Sequence, residues 1–373
     1  MKYFLCMSNK FGGAERVGTH VADILCDQSG FRAVINGDIA SQIGDRLSSA
    51  LLVSIPRRLA KISDNPMAIL YFLFVSVWFV VVGKHDRKSV YYCNDIESVF
   101  VASLAKLLFR GKIIWHVHDV YKIDKKATKL VLQIVSSVTD TLISLTELNA
   151  KRMSALFGCR IDVIPNFFRL EPTYRQHGFD SQKALLLGYL GQITEWKQVD
   201  AAIEMTRVLK DEFGVNVALK IAGRPLFQSD ENYHQMLMAR SAGLSYVQWL
   251  GPVDEVPSFL SSIDFLVSLS RNEPFGLVIV EALSQGVPVI STNGDGPSEI
   301  LKDGVGLLLD GGVRDYAAQV MSFVSALDAE GYSALSRRCV EVASKSYSVE
   351  VFNRAIRSLM ADLDSALDTG SAR

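Results

Sequence analysis

Short apolar runs recur along this 373-residue chain, each followed after a turn by a longer run of helical periodicity, and this alternation restricts the fold more than any other feature. A strand that is apolar at nearly every position must be covered on both faces, which calls for a parallel sheet with helices on either side. In the first half such strands read as 2–7, 31–36, 89–93, 112–117 and 141–145, with helical patterns at 96–109 and 127–138. The alternation restarts at 184–190 and continues through 216–222, 246–250, 265–269, 287–291 and 306–309. A single core stops growing below this length, so two doubly wound α/β domains are expected. They read as 1–168, a polar linker over 169–183, a second domain over 184–348, and a helix with a polar tail over 349–373. Ligands of such sheets bind outside the carboxyl ends of the strands, so the expected site is a cleft between two carboxyl edges.

The densest stretch runs from Ser270 to Ile290. A strand ends at Leu269, Pro274 stops further pairing, Gly276 permits a close backbone approach, and a helical run begins at Leu277. The unpaired N–H groups of Phe275 to Val278 at that helix start form a seat for a phosphate. Two carboxylates bracket it, Glu273 on the loop and Glu281 on the helix, and a bare phosphate site would not hold them so near. Their natural partners are hydroxyls, as on a sugar and a ribose. Taken alone, a helix cap and a solvated rim carboxylate explain the same pair.

Other candidates stand at other strand ends. Gly12 and Gly13 open a helix after the first strand, a second phosphate-type turn. His116 and His118 alternate to one side of the strand that ends before Asp119; metal-type spacing is missing, so hydrogen bonding to a ligand or to neighbours is the reading. Lys122, Lys125, Lys126 and Lys129 follow, either a solvated face or contacts to a phosphorylated acceptor. Lys197 follows a strand and a turn, which puts its ammonium above a sheet edge and suits a diphosphate.

Residues 67–82 carry no charge and are flanked by Arg57, Arg58 and Lys61 before and by Lys84, Arg87 and Lys88 after. Sixteen residues fall short of the roughly 20 needed to span a bilayer. Two readings remain open: a helix buried on all sides, or one lying at an anionic membrane interface with Trp78 as a contact. Charge is divided in the same sense: residues 1–168 hold 21 Lys and Arg against 14 Asp and Glu, and the remainder holds 18 against 26. A basic first half could face an anionic partner or simply the acidic second half. Nothing in the pattern calls for nucleic acid. Five scattered cysteines without CxxC spacing read as thiols of a reducing compartment, and the apolar run at the amino terminus is too short for a signal peptide. A cytoplasmic protein, held peripherally at the inner face of the membrane on the second reading of 67–82, is expected.

With these residues in place, the chain resembles the retaining glycosyltransferases of the GT-B fold, family 4 (glycosyl transferases group 1). The resemblance rests on Glu273-Pro-Phe-Gly-Leu…Glu281-Ala-Leu…Gly286-Val-Pro-Val-Ile, supported by Gly12-Gly13-Ala-Glu15, His118-Asp119, Ile164-Pro-Asn166, Gly191 with Lys197, Gly223, Leu250-Gly251 and Gly294…Glu299. It implies two Rossmann-like domains facing a cleft, with the last helix crossing back to the first domain. It also implies a nucleoside-diphosphate sugar as donor, a polysaccharide or lipid-linked saccharide as acceptor, and no metal or other cofactor. Carried over residue by residue, Glu281 holds the ribose and Glu273 the sugar hydroxyls. Gly12, Gly13, Gly191, Lys197, Gly223, Arg224 and the segment Pro274, Phe275, Gly276 and Leu277 line the donor, and His118 contacts the sugar at the transition state. Trp78, Lys122, Lys125 and Lys126 fall on the acceptor and membrane side. Three positions depart from the pattern: Gln192 replaces a diphosphate-binding Arg, with Arg224 or Arg271 as substitutes, Gln198 stands where Gly is frequent, and Phe167 follows Asn166 in place of Gly. A nucleotide-sugar epimerase or phosphorylase is the alternative on the same scaffold. A Rossmann-like binding protein or dehydrogenase is disfavoured, because the first turn lacks GxGxxG.

Overall fold

The computed structural model describes residues 1–8, 12–26, 31–38, 50–56, 66–119, 126–174 and 183–369. The chain divides into two compact units, one of Met1–Asn166 with Phe352–Arg373 and one of Phe167–Val351.

Among the described residues the first unit holds β1 (Lys2–Cys6), α1 (Gly13–Cys26), β2 (Phe31–Asn36), β3 (Leu51–Val53), α2 (Pro66–Val82), β4 (Val90–Cys93), α3 (Ile96–Phe109), β5 (Lys112–Val117), α4 (Lys126–Val138), β6 (Thr141–Ser144), α5 (Glu147–Ser154) and β7 (Arg160–Val163). The strands form one parallel sheet in the order β3-β2-β1-β4-β5-β6-β7. Lys2 pairs with Phe31 on one side and with Val90 on the other, so the order reverses about β1 and β4. β4 and β6 are buried at every position, as strands covered on both faces must be. Trp115, Tyr3, Tyr91, Phe72 and Phe79 fill the core between sheet and helices. Asp95 fixes the reversal point: its carboxylate caps α3 through Ser98 N–H at 2.7 Å and also accepts from Met7 N–H at 2.7 Å, tying the end of β1 to the start of α3.

The second unit holds β8 (Leu185–Leu190), α6 (Val199–Asp211), β9 (Val217–Ala222), α7 (Gln228–Ser241), β10 (Val247–Gly251), α8 (Val256–Ser261), β11 (Phe265–Ser268), α9 (Leu277–Ser284), β12 (Val289–Thr292), α10 (Asp295–Ile300), β13 (Gly306–Leu309), α11 (Val313–Ser325) and α12 (Ala329–Tyr347). Its parallel sheet runs β10-β9-β8-β11-β12-β13, with the reversal between β8 and β11. Open α/β sheets bind ligands at such reversals, because the loops there diverge and leave a crevice.

The last helix, α13 (Val349–Asp368), packs from Phe352 onward into the first unit. It buries Phe352, Ile356, Leu359 and Met360, and His20 to Asn353 and Lys2 to Asp364, each at 2.7 Å, hold its polar side.

Helix α2 departs from the sequence reading that buries it on all sides. Ala68, Phe72, Val75 and Phe79 enter the core at helical spacing, yet Leu70, Phe74, Val77 and Val81 on the other side are exposed, so it is not covered all round. Among the described residues no helix is long and apolar enough to cross a membrane. Trp78 lies half-buried against the core, and Phe74 at 67% exposure is the large aromatic that faces outward.

Candidate active site

In the first unit three neighbouring strand ends bring together the residues that the sequence singled out. β1 leads into Gly12 and Gly13, β4 into Asn94, and β5 into His118. Gly12 is the cap residue before α1, and its N–H donates to Oε2 of Glu15 at 2.8 Å. Burial raises the Glu15 carboxyl above its ordinary range. The Gly13 N–H lies in the first turn of α1, where N–H groups have no acceptor within the helix, and can serve a phosphate.

The imidazole of His118 is set by a residue the sequence did not flag. Its Nε2 meets the side-chain oxygen Oδ1 of Asn94 at 3.0 Å. An amide oxygen only accepts, so the ring carries its proton on Nε2 and presents a bare Nδ1 lone pair. That Nδ1 is buried and has no partner among the described residues. Burial pushes the ring down to about 3, so it remains neutral at physiological pH. The His116 ring lies 4.1 Å from it, centroid to centroid, on the same face, with Nδ1 at 2.7 Å from the Tyr92 hydroxyl. Asn94 has room only because position 18 is glycine: a Cβ there would lie 2.3 Å from Asn94 Oδ1. The pairing joins positions 18, 94 and 118, and no local spacing reports it.

In the second unit, Gly191 and Gly223 end β8 and β9 with φ of 151° and 149°, and a Cβ on Gly223 would stand 1.8 Å from the Gly191 carbonyl oxygen. Only glycine allows the two strand ends to approach so closely. Lys197 and Glu273, assigned by the sequence to different parts of a ligand, stand in contact: Nζ to Oε2 is 2.5 Å, with side chains 17% and 8% exposed. The ammonium also lies 4.1 Å from the Trp196 ring centroid, and the Ser270 hydroxyl donates to the same Oε2 at 3.0 Å. One of the three ammonium protons is thus used, leaving two for another anion.

Gly276 takes φ 95° as the cap of α9, and its neighbour Phe275 is a core residue whose ring meets Tyr347 at 5.8 Å. Pro274 and Leu277 are half-buried beside it, so this loop can offer a ligand chiefly its backbone. Glu281 sits half-buried one turn into α9. The Gly296 N–H donates to the Glu273 carbonyl at 3.1 Å, and a Cβ at 296 would meet Phe275 O at 2.0 Å, which locks the loop from the far side.

The three departures have physical counterparts. Gln192 turns its amide to Asp230 Oδ2 at 2.8 Å, while its carbonyl accepts from Tyr189 at 2.5 Å. Gln198 adopts the left-handed conformation, φ 51°, which Gly takes at less cost. Phe167 is buried with the Arg169 guanidinium over its ring at 5.6 Å. Arg224 is exposed, and Arg271 lines a pocket of about 240 Å³ together with Gln198, Ser270, Thr292, Asn293 and Tyr316. Lys122 and Lys125 lie outside the described residues, as do Arg57, Arg58 and Lys61; Lys126 opens α4, but its side chain and that of Lys129 are outside them too. Among the described residues no three His, Cys, Asp or Glu side chains converge as metal ligands would.

Residues 171–345 match the family model of glycosyl transferases group 1. The matched stretch is essentially the second unit. Among curated proteins, the chain is 33% identical over 133 residues to the lipopolysaccharide core biosynthesis glycosyltransferase LpsE of Rhizobium meliloti, covering 35% of this chain and 38% of that one. It is 26% identical over 196 residues to the mannosyltransferase LpsB of the same organism, covering 50% and 54%. The chain thus spans only 38% and 54% of the length of these two relatives. Among solved structures, Anabaena HepE in complex with UDP superposes with a TM-score of 0.75 at 19% identity, covering 97% of this chain and 99% of that one. The lipopolysaccharide outer core galactosyltransferase WaaB superposes with a TM-score of 0.70 at 18% identity, covering 96% and 99%. The fold is therefore that of the GT-B glycosyltransferases, two Rossmann-like units on parallel sheets of seven and six described strands.

Proposed function

We propose that this protein is a retaining glycosyltransferase of family 4, which moves a hexose-type sugar from a nucleoside-diphosphate sugar to a saccharide or lipid-linked saccharide acceptor in the cytoplasm. The observation that carries the reading is the Lys197–Glu273 pair at the carboxyl edge of β8 and β11, with Glu281 one helical turn beyond the cap of α9. A cation, a buried carboxylate and a helix start are what a sugar diphosphate requires, since they supply one charge for the phosphates, one acceptor for hydroxyls and free amides for phosphate oxygens. The match of residues 171–345 and the UDP bound by HepE support a nucleotide donor.

In this reaction the bond between the anomeric carbon and the diphosphate oxygen breaks, and the acceptor oxygen bonds to the same face of that carbon. The acceptor proton passes to the departing phosphate oxygen. Lys197, with the backbone amides of Phe275 to Leu277 and the Gly13 turn, neutralises the charge that builds on the diphosphate. Glu281 takes the ribose hydroxyls and Glu273 the sugar hydroxyls. Neutral His118 offers Nδ1 as acceptor to a sugar hydroxyl, which fits a tautomer that donates through Nε2 to Asn94. Gly12, Gly191, Gly223 and Arg224 line the donor, and Lys122, Lys125 and Lys126 stand on the acceptor side. No metal or other cofactor is assigned a role.

Incubation with a panel of nucleotide sugars and saccharide acceptors tests the reading by release of nucleoside diphosphate. Release is expected with one donor class, dependent on acceptor, and lost in Glu281→Ala and His118→Ala. Full activity in both variants refutes the assignment, and donor turnover without acceptor points to an epimerase or phosphorylase.

A further inference from the structure

The open side of α2 continues onto its neighbours. α3 packs along α2, with Ser76 Oγ at 3.5 Å from the Phe100 carbonyl and the rings of His85 and Phe109 stacked at 5.1 Å, so the carboxyl ends of the two helices lie together. There Val81 from α2 and Leu107 from α3, each 77% exposed, extend the surface begun by Leu70, Phe74 and Val77. α4, on the far side of α3, adds exposed Leu130 and Ile134. Large apolar side chains are thus exposed on three helices that pack side by side, and such clustering marks an interaction surface.

Charge decides what covers it. α2, α3 and α4 together carry a single carboxylate, Glu97, in the first turn of α3 and so at the opposite end from Val81 and Leu107. The segments leaving α2 and α3 present exposed Lys84, Arg87 and Arg110 at the near end. Asp86, between them, is engaged by the Met1 amino group and the Ser89 hydroxyl, and Lys88 is taken by Asp368. The face therefore offers insertion of apolar side chains with a cationic rim and almost no negative charge. A second copy of the chain is a poor occupant, because a two-fold contact would gather the cations of both copies at one interface. A bilayer with anionic headgroups satisfies both parts, and since Phe72 and Phe79 root α2 in the core the helix lies on the membrane and does not cross it.

We propose that the outer face of α2, α3 and α4 docks the protein on the surface of a bilayer containing anionic phospholipid, with Leu70, Phe74, Val77, Val81 and Leu107 at headgroup depth and Lys84, Arg87 and Arg110 against the phosphates. The inference needs neither donor nor acceptor, so its fate is separate from that of the transfer reaction. Cosedimentation of the full chain with phosphatidylcholine vesicles that do or do not contain phosphatidylglycerol is the test. Binding is expected to the anionic vesicles and to weaken with salt. The Leu70→Ser/Phe74→Ser variant binds about tenfold more weakly through lost apolar insertion. The Lys84→Ser/Arg87→Ser variant loses about fivefold per cation. Thermal melts check that both variants stay folded, and the charge variant leaves the apolar contacts intact if the other does not fold. The proposal is overturned if the wild type stays in the supernatant, if both folded variants bind as it does, or if light scattering shows a dimer that the apolar variant splits.

Discussion

The pairing of Lys197 with Glu273 makes a prediction about stability as well as about the donor. Replacing Lys197 by Met leaves a carboxylate that is 8% exposed with Ser270 as its one remaining side-chain donor among the described contacts. Breaking a buried pair from one side costs about 3 kcal/mol, because the abandoned charge keeps its desolvation penalty and loses its partner. Loss of the ammonium–indole contact at 4.1 Å adds about 0.5 kcal/mol. For a unit the size of Phe167–Val351, each kcal/mol lowers the melting temperature by about 2–4 °C, so the drop should be about 7–14 °C. Glu273→Gln strands the more exposed partner, whose ammonium reaches water, and costs less, about 1–2 kcal/mol. The double variant removes both charges, and its loss should fall at least about 2 kcal/mol below the sum of the two. Differential scanning calorimetry of the full chain reads all three. A Lys197→Met protein melting within about 2 °C of wild type, or a double variant that adds the singles, refutes the idea that the pair is a coupled buried unit. The same Lys197→Met variant should lose the thermal shift that nucleoside diphosphates give the wild type, as a ligand of the folded state must.

Two further outcomes follow from the first unit. Burial holds His118 down at about 3, whereas an unfolded chain takes up its proton below roughly pH 6.5, so folding stability is retained above that pH and declines as pH falls from there toward 3. Urea denaturation at successive pH values should show His118→Gln lacking a slope of about 1.4 kcal/mol per pH unit that the wild type has over that interval; an unchanged slope rejects the buried neutral ring. Asn94→Ala removes the acceptor that keeps the proton on Nε2, and kcat should fall about tenfold with KM much less affected, while nitrogen NMR of the ring shows mixed tautomers. Gly18→Ala should reproduce this by displacing the amide, and a single Nε2–H tautomer in either variant contradicts the assigned role of Asn94.

Much of this was legible in the residues because it is local. Strands apolar at nearly every position followed by helical runs imply parallel sheets in any chain, and eleven of the strands recur within two residues of their sequence-read ends. β3 escaped notice because three residues, Leu51–Val53, make no periodicity, and β7 because Arg160 and Asp162 interrupt an edge strand. The stretch from Glu273 to Glu281 could be read as a candidate site from the sequence because strand end, loop and helix start are contiguous. Tertiary structure alone decided which side chains meet across loops. Lys197 is 76 residues from Glu273, His118 is 24 from Asn94, and Gln192 is 38 from Asp230. Composition also could not say which side of α2 is open: a helix apolar all round has no periodicity to orient it, and only the packing of Phe72 and Phe79 into the core turns Phe74 outward. Local order along the backbone is written in short-range pattern, whereas the site's pairings and its exposed face depend on contacts that exist only once the sheets have formed.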